Sequence, residues 1–243
     1  VPPGFRLDVR AAAPRRHLLL VMRADLPPTS RPEARRALAH AVNRDLALDA
    51  AGPRAARSGE WPPGAGHFDF PALDESRVRE WMRLGGLGTA FHVAMAFDAD
   101  GAGAPVARVL QGGWSRLGIY VELRPLRGAR LGRELLGGVS HLALVEAQPW
   151  TGDLGGTLAQ LVLPPRGPGV GAFRTGWRTR EFDGWTDPAP GRGRPAPAVA
   201  GARLADELVV LPLAELPWAW LARADGSALP FHPRFGPACA ESP

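Results

Sequence analysis

Apolar and polar positions alternate along this chain in two different periods. Leu18 to Met22 is an unbroken apolar run, as expected for a buried strand entered from the basic turn at Arg15-Arg16. After a turn rich in proline, Ser30 can cap a helix with Pro32 early in it and Glu33 at the acid position of a capping box. Ala34, Leu38, Ala41, Val42 and Leu46 recur at helical spacing, and Arg35, Arg36, Asn43 and Arg44 fall mostly outside that stripe. One helix is therefore predicted, ending near Asp49 ahead of Gly52-Pro53. The stretch from Gly52 to Pro71 reads as a long irregular crossing.

The pattern resumes with a helix from Asp74, its cap, to Leu84, with Val78, Trp81, Met82 and Leu84 inward and Gly85-Gly86 ending it. Phe91, Val93, Met95 and Phe97 alternate as in a half-buried strand. Ala104 to Leu117 places Val106, Val109, Leu110, Trp114 and Leu117 three and four apart, with Gly118 suited to the positive φ just beyond a helix. Ile119 to Leu123 follows as a strand, and this helix, glycine, strand order is the strongest local α/β signal. A helix over Arg127 to Leu136 and a strand over His141 to Val145 complete the run. Beyond it, Asp153 can cap a short helix through Leu163, Phe173 to Trp185 is extended or irregular, and Thr186 to Gly201 is a proline-rich surface loop. Leu208 to Leu213 is apolar apart from Pro212, and Trp218 to Arg223 reads as a strand before the Asp225-Gly226 turn.

Composition narrows the class. With 243 residues, 45% hydrophobic and 22% charged, the chain fits one or two globular domains rather than extended disorder. No apolar run approaches the roughly 20 residues that span a bilayer. The formal charge is +5, with 29 basic residues that are all arginine, dispersed among 24 acids; a solvated surface explains this better than nucleic-acid binding. Cys239 is the lone cysteine, which excludes an internal disulfide framework and a cysteine zinc cluster. Val1 to Gly4 does not read as a signal peptide, and the expectation is a fragment or a shortened relative of a longer protein.

Catalytic motifs are missing. There is no phosphate loop, dinucleotide fingerprint, nucleophile elbow or histidine pair at zinc spacing. His92 on a strand reads as structural; His67 near Asp69, the thiol of Cys239 and the pair Asp183 and Asp187 carry weak claims to chemistry. Trp81 and Trp114 sit on apolar helical stripes and read as core. Trp150 and Asp153 differ, because their loop follows a strand, and crevices at strand ends are the usual ligand sites of open α/β sheets. There an indole can cover an apolar group and a carboxylate can hold an ammonium or hydroxyl.

Several segments then align with one family. Arg35-Arg36-Ala37-Leu38-Ala39-His40-Ala41-Val42-Asn43-Arg44 resembles the signature at the start of the second lobe of the extracytoplasmic solute-binding proteins of peptide and nickel ABC transporters. Leu18 to Arg23 resembles the strand before it, and Pro62-Pro63-Gly64 the proline-rich crossing. Asp74 to Gly88 resembles the next helix. Leu110-Gln111-Gly112-Gly113-Trp114-Ser115-Arg116-Leu117-Gly118-Ile119-Tyr120-Val121 is the best single match. Trp150 to Asp153 resembles the ligand loop, without its usual repeated aspartate and proline, and Val210-Leu211-Pro212-Leu213 resembles the strand returning toward the first lobe.

The resemblance spans residues 15 to 235 and corresponds to the later half of such a protein. It implies an α/β fold, the second lobe of a periplasmic-binding-protein-like II architecture with a return segment toward the first lobe. The implied division is a crossover region over 1–25, the lobe over 26–205 and the return segment over 206–243. It further implies binding of a peptide or similar small solute, and delivery to an ABC transporter permease. The expected setting is the periplasm or cell envelope, peripheral to the membrane and made from a precursor with a signal peptide. No cofactor, metal, nucleic acid or bond chemistry is expected. Trp150 and Asp153 would contact the ligand, whereas Arg44 and Arg116 read as structural or lobe-surface residues. The alternative is a non-transport protein-interaction module derived from such a lobe.

Overall fold

The structure is a computed structural model that describes residues 5–10, 16–57, 68–147, 175–177, 202–203, 205–216, 218–223, 231–232 and 236–237. Its centre is a five-stranded sheet in the order β4-β3-β5-β2-β6, built from β2 (Arg16–Met22), β3 (Phe91–Asp98), β4 (Ile119–Leu126), β5 (Leu142–Ala147) and β6 (Val210–Leu216). β3 runs parallel to both β4 and β5, while β2 is antiparallel to β5 and β6. β1 (Phe5–Arg10) and β7 (Trp218–Arg223) form a separate antiparallel ribbon, and β8 (Phe231–His232) pairs with β9 (Gly236–Pro237).

Hydrophobic pattern dictates this order. β2 lies between two strands and is covered on both faces, so Leu18 to Met22 is apolar without alternation and wholly buried. β3 sends Phe91, Val93, Met95 and Phe97 to one face, against Val106, Leu110 and Trp114 of α4 (Gly103–Ser115). α1 (Pro32–His40), α2 (Arg44–Ala51) and α3 (Glu75–Leu84) pack on the same side through Leu38, Ala47, Val78 and Met82. The opposite face carries Leu19, Val21, Ala143 and Val210 under Leu135 of α5 (Gly128–Gly137) and Trp177. Pro212 is tolerated within β6 because that strand is at the sheet edge, paired with β2 and, among the described residues, met on its outer side by one isolated bridge between Ala56 and Glu215 rather than by a further strand.

The single helix expected from Ser30 to Asp49 is two. Arg31, not Ser30, is the residue before α1, and Pro32 opens the helix. The chain breaks after His40, whose carbonyl accepts the Asp74 N–H at 3.0 Å. Asn43 then turns extended and accepts the Leu46 N–H at 3.1 Å, the N-cap that starts α2. The break rotates the second half of the apolar stripe, and Leu46 is 53% exposed rather than inward. Leu84, also expected inward, is half exposed, and Trp114 is fully buried as expected. Gly118 has φ +81°, and a Cβ there would collide with the Thr89 carbonyl, which keeps α4 close to the strand it precedes.

Arg35 is buried, although the stripe placed it outward. Its Nε and Nη2 donate to the Glu207 carbonyl and carboxylate at 2.8 and 2.7 Å, and its Nη1 donates to the Thr29 carbonyl at 2.9 Å. Arg44 donates to the Pro212 carbonyl at 3.4 Å and lies over the Phe70 ring at 4.6 Å. The most recognisable sequence motif is therefore a brace between the first helices and the strand that leaves the sheet.

Candidate functional site

β3 and β5 end side by side, and α4 starts beside them. This strand-end crevice holds a cavity of about 370 Å³ lined by Arg16, Ala51, Asp98, Asp100, Gly101, Ala102, Glu146 and Leu216. Arg16 opens β2 and Leu216 ends β6, and these two residues face each other in register. The cavity thus sits where the chain enters and leaves the sheet.

Glu146 organises the crevice. One of its carboxylate oxygens pairs with Arg16, and the other accepts the Ala102 N–H at 2.8 Å. Ala102 precedes α4, so an internal carboxylate occupies the positive end of that helix. Burial lowers the Arg16 pKa. A Cβ at Gly101 would lie 2.8 Å from the second Glu146 oxygen and 3.2 Å from the Asp98 Cβ, so a side chain there would push the Glu146 carboxylate away from the β3–α4 turn.

At the rim, Arg127 clasps Asp100 through two hydrogen bonds of 2.7 and 2.9 Å. The hydrogen bond from Arg127, helped by its charge, holds the Asp100 carboxyl below its usual range. Asp98 accepts the Asp100 N–H at 3.1 Å. The crevice is therefore polar, with each buried charge neutralised internally and the carboxylates of Asp98 and Asp100 toward its mouth. Such a site can orient a polar solute, and it contains no nucleophile activated by a neighbouring base. Among the described residues, no group of three or more histidine, cysteine, aspartate or glutamate side chains is placed to hold a metal.

β5 delivers the chain to this crevice, and Trp150 and Asp153 follow it in sequence; both lie outside the described residues, as do His67, Cys239, Asp183 and Asp187. His92 is exposed, stacked on Tyr120 with ring centroids 5.1 Å apart, so it is a surface residue of the sheet rather than part of the core. Sequence reasoning missed Arg16, Glu146 and Ala102. The available signal was Glu146 itself, an acid closing an otherwise apolar strand.

No family model matches the chain, and no curated protein matches it. Solved structures do. A dipeptide-binding protein from a Pseudoalteromonas species, in complex with Met-Leu, superposes with a TM-score of 0.75 at 15% identity over 96% of this chain and 48% of its own. The ABC transporter-associated periplasmic binding protein DppA from Helicobacter pylori, in complex with the peptide STSA, gives 0.69 at 15% identity, covering 92% of this chain and 45% of its own. NikA from Brucella suis, in complex with Fe(III)-EDTA, gives 0.67 at 14% identity over 95% and 51%. The chain thus has the fold of about half of a periplasmic substrate-binding protein, and it spans about half the length of these structures.

Proposed function

We propose that this chain is the second lobe of an extracytoplasmic solute-binding protein that captures a peptide or similar small solute and presents it to an ABC transporter permease. The observation that carries this reading is the pairing of entry and exit. β1 precedes β2 and β7 follows β6 in the chain; β1 and β7 pair as one antiparallel ribbon, and β2 and β6 pair as neighbours in the sheet. A lobe joined to a partner lobe by two adjacent crossings can swing about them and close on a solute. The division at 1–25, 26–205 and 206–243 follows the same logic, with the outer parts carrying the crossings.

In this reading the crevice at the ends of β3 and β5 faces the solute. Asp153 pairs with its cationic group, Trp150 covers its apolar surface, and the pair Arg16 and Glu146 shapes the floor. Binding is the whole activity, with no bond made or broken. The protein works in the periplasm or cell envelope, peripheral to the membrane, and its precursor carries a signal peptide. Among the described residues no helix is long and apolar enough to cross a membrane.

The test is to isolate the native protein from cell fractions, measure its intact mass and N-terminus, and titrate it with a panel of di- and tripeptides by calorimetry. The expected result is an envelope species well above 25.9 kDa that binds one peptide per molecule. A 25.9 kDa cytosolic species that binds no peptide would replace this reading with the protein-interaction module.

A further inference from the structure

A second and larger cavity lies at the opposite end of the sheet. It measures about 730 Å³ and lies between the C-terminal ends of α3 and α4, where β3 and β4 begin. Eight residues of β3 separate it from the crevice, about 25 Å at the rise of an extended strand. Three arginines line it, Arg79 and Arg83 on α3 and Arg116 after α4, and among the described residues no acidic residue does. Met82 and Leu117 supply apolar surface, and Gly86, Gly88 and Gly118 leave the backbone bare.

Helix C-termini attract arginines without any ligand. The C-terminus of a helix carries roughly half a negative charge. Two such ends supply about one negative charge, against three cations. Arg83 and Arg116 form no ion pair among the described residues. Among the described residues, Arg79 has one ion pair, an exposed contact to Glu75 at 3.2 Å one turn back on its own helix, and pairs of that kind exchange easily. Among the described residues, the excess positive charge of Arg83 and Arg116 therefore has no acidic partner. The volume lies within the range of small-molecule pockets.

We propose that this cavity binds a phosphomonoester carrying an apolar group. A carboxylate is satisfied by one guanidinium fork, whereas a phosphomonoester offers three oxygens and nearly two charges to three forks. The apolar body would rest on Met82 and Leu117. The same chemistry can come from a soluble organic phosphate or from the headgroup of phosphatidic acid. The distance from the crevice makes this site independent of solute capture.

The test titrates 1-naphthyl phosphate into the full chain by calorimetry, beside the double variant Arg83→Gln, Arg116→Gln and the control Arg108→Gln, an exposed α4 arginine outside the cavity. Circular dichroism verifies that each variant is folded. Saturable binding that weakens at least tenfold in the double variant, and not in the control, supports the site. Sedimentation with phosphatidic-acid vesicles, but not with phosphatidylcholine vesicles, lost in the same double variant, supports it with a lipid as the source. No saturable binding of either probe, or equal loss in the double variant and the control, overturns it.

Discussion

Arg35 reaches Glu207 across 172 residues of sequence, with hydrogen bonds of 2.8 Å to its carbonyl and 2.7 Å to its carboxylate. The arginine is 3% exposed and the glutamate 34% exposed. Arg35→Met should therefore cost about 2–4 kcal/mol of unfolding free energy, somewhat below a fully buried pair because water screens Glu207. Glu207→Gln should cost under about 1 kcal/mol, since the bonds to the carbonyls of Glu207 and Thr29 survive. Urea unfolding of both variants checks this; equal losses would mean that the ion pair, rather than the carbonyl contacts, carries the brace.

Two glycines flanking one helical turn should respond in opposite directions. Gly118 has positive φ and faces the Thr89 carbonyl, so Gly118→Ala should destabilise by at least about 1–2 kcal/mol. Gly112 is an exposed position inside α4 with open space where a Cβ would go, so Gly112→Ala should stabilise by about 0.5–1 kcal/mol. Thermal melts should separate the two variants by several degrees. A destabilised Gly112→Ala would contradict the helix geometry.

Stability should fall in acid in two stages. His141 accepts the Ala94 N–H on Nδ1 at 2.9 Å, and burial lowers its pKa below the ordinary 6.5. For a folded-state value below the unfolded one, the unfolded chain takes the proton first, so the contribution is complete above pH 6.5 and fades as pH falls through the folded value. Glu134 acts lower. Burial alone would raise its pKa, but the Ser140 hydroxyl and N–H, at 2.6 and 2.8 Å, and the charge of Arg124 outweigh that and hold it below normal. Its contribution is present above the ordinary carboxylate range and disappears below it. His141→Gln should flatten the urea-midpoint profile from pH 7 to 5, and Glu134→Gln should flatten only the more acidic limb. A variant profile parallel to the unsubstituted one would exclude that residue as the source.

Periodicity located α3, α4, β2 and β3 because each buries a face wide enough to impose its pattern, whereas α5 buries only Leu135. It merged α1 and α2 because Ala41 and Val42 are buried both in a continuous helix and across the break, so only Asn43 marked the restart. Arg35 looked like surface because periodicity reads polarity, and a guanidinium braced by distant carbonyls is polar yet buried. β4 extends to Leu126, past the expected Leu123, because its outer residues follow the parallel register of β3 rather than their own hydrophobicity. In the crevice, the topology of a strand followed by a turn and a helix was legible. The pairing of Arg16 with Glu146 was not, since 130 residues separate them.

The proposed solute role separates Asp153 from Glu146 by experiment. Both oxygens of Glu146 are committed, to Arg16 and to the Ala102 N–H, so Glu146→Gln removes an ion pair and weakens the carboxylate cap of α4. Its effect should be on stability, with peptide affinity of the intact protein changed less than threefold once the protein is folded. Asp153→Ala should leave the melting temperature nearly unchanged and weaken binding of a peptide with a free amino terminus at least tenfold, because an ammonium buried without its partner is costly. Trp150→Ala should weaken apolar peptides more than polar ones of the same length, since an indole contributes through covered area. Calorimetry and melts on the three variants decide it. Unchanged affinity in Asp153→Ala would remove that carboxylate from the site, and a large affinity loss in Glu146→Gln would move solute recognition onto the floor of the crevice.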